Sequence, residues 1–197
     1  MANLTYFCIY KPFGVLSQFT REAPHHQTLA DLYPFPPDVY PVGRLDKESE
    51  GLLILTNDAS LNQALLHPSR AHRRTYLVQV EGVPDSDALR KLRRGVTIRV
   101  NRKPYQTRPC QVRILDPEPD LPDRDPPIRF RKNVPTSWLE VILTEGKNRQ
   151  VRRMGAAVGY PVLRLVRSRI EALSLPAGGP GAVEVWEAAR LKKKLRL

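Results

Sequence analysis

Residues 43–58 read Gly43-Arg44-Leu45-Asp46-Lys47-Glu48-Ser49-Glu50-Gly51-Leu52-Leu53-Ile54-Leu55-Thr56-Asn57-Asp58. The first half is a polar loop bounded by glycines. The second half carries an unbroken apolar run over residues 52–55, the pattern of a buried strand. Loops held by a rigid strand are where reactive side chains commonly sit. Asp46 has Arg44 and Lys47 as near neighbours in sequence, and nearby cations favour an ionised carboxylate. Taken alone, an aspartate in such a loop is ordinarily a turn or cap residue. Glu48 and Glu50 read as solvated loop charges. Asp58 is placed to cap a helix that carries Leu61, Ala64 and Leu65 at helical spacing, and Pro68 stops that helix.

Outward from this stretch, residues 5–10 are aromatic and β-branched and predict a strand, followed by a Lys11-Pro12-Phe13-Gly14 turn. Residues 21–41 hold five prolines and predict a loop around a short helical piece at 28–33. Over residues 76–81 the pattern alternates, with Tyr76, Val78 and Val80 on one face. Asp85 opens a further helix that closes at Arg93-Arg94-Gly95. Strands are expected at 110–115, 138–143, 162–166 and 182–186. The intervening 116–137, proline-rich and charged, predicts a long surface loop. A helix beginning at Lys147 or Asn148 is expected to run to Gly159. Strands outnumber helices and several are joined by turns. The fold class is therefore α+β, with a mixed, mostly antiparallel sheet and flanking helices. One catalytic domain is expected over 1–197, with two lobes sharing one sheet, and the basic tail 188–197 is expected to be mobile.

The chain of 197 residues carries 32 Lys and Arg against 20 Asp and Glu, a net charge of +12. A field of that sign favours a polyanion, through phosphate attraction and counterion release. Cys8 and Cys110 form no CxxC pair, so no zinc spacing or disulfide framework is present, and no metal site is expected. The start of the chain lacks a basic leader and a long apolar run, and no segment approaches spanning length. Cytoplasmic location and no membrane association are the expectations. No Walker or dinucleotide motif is found.

A second cluster, Glu145-Gly146-Lys147-Asn148-Arg149-Gln150-Val151-Arg152-Arg153-Met154, places Arg149, Arg152 and Arg153 at i, i+3, i+4 on a helix. They would form one basic face, with Val151, Met154 and Val158 facing inward. A solvated face and a phosphate-binding face are equally good readings of that pattern, and the helix N-terminus adds its own attraction for anions.

Taken in order, GRLDKESEGLLILTND, RRTYLVQVEG and EGKNRQVRRM resemble the three signature segments of the RsuA-type rRNA pseudouridine synthases. The likeness extends over most of the chain, and includes the KPFG turn and GYPVLRLVR after the basic helix. With PTSWLEVILTEG and the DPPIRFRK insert, it is greatest to the large-subunit (23S) rRNA subgroup termed E, which lacks the N-terminal S4 module. No S4 domain is expected here. The resemblance implies the pseudouridine synthase fold with a central RNA-binding cleft, and isomerisation of uridine in 23S rRNA without a cofactor. The substrate would be that rRNA or a large-subunit assembly intermediate, and the protein a monomer. It also implies three roles: Asp46 as the essential aspartate, Tyr76 as the tyrosine packed on the target uracil, and Arg152 as the basic partner of the aspartate. An ionised carboxylate beside a guanidinium, and an aromatic ring on an apolar strand face, are physically suited to those roles.

Arg44, Arg73, Arg74, Lys147, Asn148, Arg149 and Arg153 are the candidates for RNA contact. On charge alone Arg70, Arg93, Arg94, Arg99, Arg102 and Lys103 join them, as do Arg129, Arg131 and Lys132 in the proline-rich loop. Two rivals stand beside the main reading. One is a non-catalytic rRNA-binding or ribosome-assembly protein on the same fold. The other is the same reaction on small-subunit rRNA or tRNA.

Overall fold

A computed structural model describes residues 4–128 and 134–197. Arg129, Arg131 and Lys132 lie outside the described residues. In chain order the strands are β1 (Tyr6–Lys11), β2 (Val15–Leu16), β3 (Gln27–Thr28), β4 (Tyr40–Pro41), β5 (Glu50–Thr56), β6 (Arg74–Glu81), β7 (Thr97–Val100), β8 (Lys103–Gln106), β9 (Gln111–Leu115), β10 (Thr136–Leu143), β11 (Val162–Ile170), β12 (Leu173–Ser174) and β13 (Val183–Val185). The helices are α1 (Ala59–Leu66), α2 (Ser86–Arg94), α3 (Gln150–Ala157) and α4 (Ala188–Leu195). Among these strands only β2 and β3 have a parallel pairing described; the other described pairings are antiparallel, so the class is α+β as expected. The chain divides into two compact units: Met1–His72 with Arg167–Leu197, and Arg73–Val166.

In the first unit β1 pairs with β5 and, along its other edge, with β13. Every residue of β5 is buried. Its unbroken apolar run is explained by cover on both faces. Leu52 and Ile54 pack with Leu61 and Leu65 of α1, while Leu53 and Leu55 pack with Phe7, Ile9, Leu29 and Leu45. Asp58 caps α1 as anticipated, accepting from the Ser60 and Leu61 N–H groups.

The mobile tail is a correction. Residues 188–195 form α4, and Leu191 and Leu195 are fully buried against the Leu52–Ile54 face of β5. The two leucines sit at i, i+4, so one turn of helix aims both at the core. Burying each is worth about 1.5–3 kcal/mol, enough to hold a short basic helix in place. Lys192 adds an ion pair to Asp58 at 3.3 Å.

In the second unit β10 pairs with β6 on one side and β9 on the other. The alternation in β6 is as expected: Tyr76, Val78 and Val80 enter a core with Leu139, Val141, Val151, Met154 and Leu165. Asp85 caps α2 and Gly95 closes it. The β7–β8 hairpin was not anticipated. Its two-residue turn is Asn101-Arg102, both in the left-handed region, and the second strand carries Pro104, opposite Arg99. Glycine is the usual signal for such a turn, and it is absent.

The basic helix also starts later than expected. Arg149 is the N-cap of α3 with φ +52, a conformation no helical residue adopts, and α3 ends at Ala157 rather than Gly159. Arg149 therefore does not share a helical face with Arg152 and Arg153. Among the described residues, no helix is long and apolar enough to cross a membrane.

Candidate active site

In the first unit, the loop bearing Asp46 is held on both sides of that residue. Before it, the Ser17 hydroxyl donates to the Leu45 carbonyl at 2.8 Å and accepts from the Leu45 N–H at 3.1 Å. The Leu45 side chain is buried with Phe7, Ile9 and Leu53. After it, the Lys47 carbonyl accepts from the Gly14 N–H at 2.9 Å. A turn closes over the loop, with the Ser49 N–H donating to the Asp46 carbonyl. Asp46 is left half-buried, while Arg44 and Lys47 on either side are exposed.

A cation that acts on this loop is Lys11, which sequence proximity did not reveal. It ends β1 opposite Gly51, with no exposed surface. Its Nζ donates to the carbonyls of Pro12 and Val15, both at 2.7 Å, and more weakly to that of Lys47 at 3.4 Å. Three acceptors match the three N–H bonds of an ammonium. Burial pushes the Lys11 pKa down to about 7, against the opposing pull of the Glu50 and Asp46 carboxylates. Glu50, expected as a solvated charge, is 1% exposed and begins β5, so that expectation is corrected. Glu48 is exposed as expected.

In the second unit Tyr76 lies on the β6 face that carries Val78 and Val80, 8% exposed, so its ring rests on an apolar floor. Arg73 is exposed and Arg74 is half-buried at the head of the same strand. Arg152 lies in the first turn of α3, half-buried, and its Nη1 donates to the Val162 carbonyl at 3.2 Å. Arg153 donates to Asn148 Oδ1 at 2.8 Å and to the Arg99 carbonyl. Lys147, Asn148 and Arg149 are exposed.

What shapes this second segment is Glu145, which the sequence did not single out. Its carboxylate accepts from the Tyr105 hydroxyl at 2.5 Å, the Arg108 N–H at 2.9 Å and Gln150 Nε2 at 2.7 Å. Burial works to raise its pKa, but these hydrogen bonds prevail and hold it below the ordinary value. Gln150, itself buried, accepts from the Lys147 N–H at 2.9 Å. The loop from Glu145 to Arg149 is thereby tied to the β7–β8 hairpin and to the first residue of α3. The Lys147 ammonium adds a contact over the Tyr105 ring at 4.9 Å.

The structure thus places Asp46 in the first unit, and Tyr76 and Arg152 in the second. Among the described residues no group of His, Cys, Asp and Glu side chains is arranged to hold a metal ion. Both cysteines are free.

Residues 5–157 match the family described as RNA pseudouridylate synthase. The chain is 56% identical over 171 residues to the ribosomal large subunit pseudouridine synthase E of Xanthomonas axonopodis pv. citri (strain 306), covering 86% of this chain and 87% of that protein. To the protein of the same name from Vibrio parahaemolyticus serotype O3:K6 (strain RIMD 2210633) it is 47% identical, covering 92% of this chain and 72% of the relative. A crystal structure of a pseudouridylate synthase superposes with a TM-score of 0.78 at 23% identity, over 98% of this chain and 75% of the other, and so shares its fold. With most of its length inside the family match, and relatives above half identity across nearly their whole length, the chain belongs to the RNA pseudouridylate synthase family.

Proposed function

We propose that this protein isomerises uridine to pseudouridine in 23S rRNA, acting on that RNA or on a large-subunit assembly intermediate. The observation that carries the reading is the 56% identity to a ribosomal large subunit pseudouridine synthase E across 87% of that relative's length. The loop geometry supports it: Asp46 is half-buried, and the residues before and after it are anchored through Ser17 and Gly14.

In this reading Asp46 is the reactive carboxylate. The C1′–N1 glycosidic bond breaks, the uracil turns, and a C1′–C5 bond forms. The proton on C5 is lost and N1 gains one, so atoms and electrons balance within the nucleotide. No electron carrier or group donor is called for. Tyr76 supplies the ring on which the uracil packs, supported by the apolar floor beneath it. Arg152 supplies a guanidinium, a group that stays charged at any working pH. A target uridine in a stem is first extruded, at a cost of about a few kcal/mol met by contacts to the pocket and backbone. Arg44, Arg73, Arg74, Lys147, Asn148, Arg149 and Arg153 position the RNA without reading its sequence.

Two measurements test the proposal. Tritium release from 5-tritiated uridine in rRNA is abolished by Asp46→Asn, while RNA binding is retained; normal release by the variant removes Asp46 from its role. Carbodiimide-induced reverse-transcription stops in rRNA from a deletion strain locate the target. A missing stop in large-subunit rRNA is the expected result. A stop lost only from small-subunit rRNA or tRNA, or none lost, refutes the assigned substrate.

A further inference from the structure

The β7–β8 hairpin and α3, both within the second unit, bound an open groove of about 640 Å³. Its cations are Arg99, Arg102 and Arg153, and its lining includes Asn101 with Ala156 and Ala157, which α3 leaves exposed. No acidic residue lines it. Among the described residues Arg99 and Arg102 take part in no ion pair, and the described partners of Arg153 are neutral oxygens of Asn148 and Arg99. Elsewhere in this unit some exposed cations pair with carboxylates, Arg90 and Lys91 with Asp87 and Arg113 with Glu140. Gathering three guanidiniums around one concavity without a counter-charge raises their mutual repulsion, a cost that an anionic ligand removes.

The turn gives a second, independent sign. Arg102 has φ +65 at the second position of a two-residue hairpin turn, where glycine is favoured. The chain keeps an arginine there in a strained conformation, and strain of this kind gathers at functional positions. The volume falls within the roughly 300–1,000 Å³ of clefts that hold small ligands. The lining has arginines and an amide but no aromatic ring, which suits phosphate rather than a stacked base.

We propose that this groove seats a sugar–phosphate segment of the RNA substrate, with Arg99, Arg102 and Arg153 as its phosphate ligands. The inference rests on the reading of the protein as an rRNA-modifying enzyme and adds a binding site to it.

The test uses the full-length protein and a fluorescent rRNA fragment, with affinity measured between about 0.05 and 0.3 M KCl. Losing two phosphate contacts in Arg99→Ala/Arg102→Ala makes the slope of log K against log salt shallower by about 1.4–1.8. Arg102→Gly makes it shallower by about 0.7–0.9. The melting temperature of Arg102→Gly holds or rises, because glycine suits the turn, so weaker binding by that variant is not a folding defect. Arg90→Ala, on α2 outside the groove, leaves the slope at the wild-type value. Wild-type slopes in both groove variants, or an equal loss in Arg90→Ala, overturn the proposal. Pseudouridine is assayed in the same RNA with the wild-type protein. Product with unaltered groove slopes refutes the groove and spares the enzyme; altered slopes without product refute the enzyme and spare the groove.

Discussion

The Cα of Gly51 lies hard against the backbone of Arg167: a methyl group at Gly51 would stand 2.4 Å from the Arg167 carbonyl oxygen and 2.6 Å from its nitrogen. The contact is reciprocated, because Arg167 Nε donates to the Leu52 carbonyl at 2.8 Å from a buried side chain. The end of the Asp46 loop is therefore seated on the backbone of β11, and the passage from loop to strand admits no side chain.

Gly51→Ala adds a clash with rigid backbone to a φ of +110, which alanine avoids. Over-packing and backbone strain together are expected to cost about 3 kcal/mol or more, a large share of the stability of a chain this size. Urea denaturation measures it. A midpoint within error of wild type would show that the loop can move away from β11.

Asp58→Ala is expected to cost about 2–4 kcal/mol. Roughly 1 kcal/mol is the helix cap, and about 1–3 kcal/mol comes from depriving the buried Tyr6 hydroxyl, now 2.7 Å from Asp58, of its acceptor. Burial works to raise the Asp58 pKa, but hydrogen bonds from Ser60, Tyr6, Leu61 and Lys192 hold it well below the carboxylate range. A depressed folded pKa gives stability that is complete above the unfolded value of about 3.9 and is lost as pH falls from there. The stability gap between wild type and Asp58→Ala is accordingly full at neutral pH and narrows below about pH 4. Urea titrations across that range follow it.

Glu145→Ala removes the shared acceptor of Tyr105, the Arg108 N–H and Gln150. Its expected cost is about 2–4 kcal/mol. Tyr105→Phe removes one of those bonds and costs about 1 kcal/mol. Both loosen the loop that leads into Arg152. The rate of pseudouridine formation at saturating enzyme falls in both, more in Glu145→Ala, and single-turnover assays on an rRNA fragment read it. Equal rates in both variants and wild type would show that the loop holds its shape without this carboxylate.

Local chemistry was legible in the sequence wherever neighbours along the chain decide the outcome. The caps at Asp58 and Asp85, the alternation in β6 and the buried run in β5 are of that kind. What was not legible depends on partners distant in sequence. Glu50 looks like a loop charge until the pairing of β1 with β5 brings Lys11 opposite Gly51. Glu145 looks like a flanking acid until the hairpin delivers Tyr105. The hairpin was hidden because Asn101-Arg102 takes a glycine-type turn without a glycine. The tail was hidden because five basic residues mask two leucines at helical spacing. The three residues singled out by resemblance, Asp46, Tyr76 and Arg152, rest on ordered motifs; periodicity alone would have left each an ordinary turn, core or surface residue.

Lys11 carries the last prediction. Lys11→Met keeps the side chain's bulk but removes a buried cation facing Glu50 and Asp46, and frees the carbonyls of Pro12, Val15 and Lys47. Depriving those buried carbonyls of their donor costs about 1–3 kcal/mol. Lys11→Met/Glu50→Gln recovers part of that loss if the two charges are coupled, and a double-mutant cycle measures the coupling. The pH dependence supplies a second reading. The folded pKa of Lys11, about 7, lies below its ordinary value of 10.5. The folded chain thus sheds this proton first as pH rises, and the unfolded chain binds more protons between those values. Stability from this group rises with pH through that window, by up to about 1.4 kcal/mol per unit. The other titrating groups are common to both proteins. The stability gap between wild type and Lys11→Met should therefore widen from about pH 6.5 to about pH 9.5. Urea midpoints at the two pH values decide it: a constant gap means that Lys11 keeps its proton across the range, held there by its carbonyl and carboxylate neighbours.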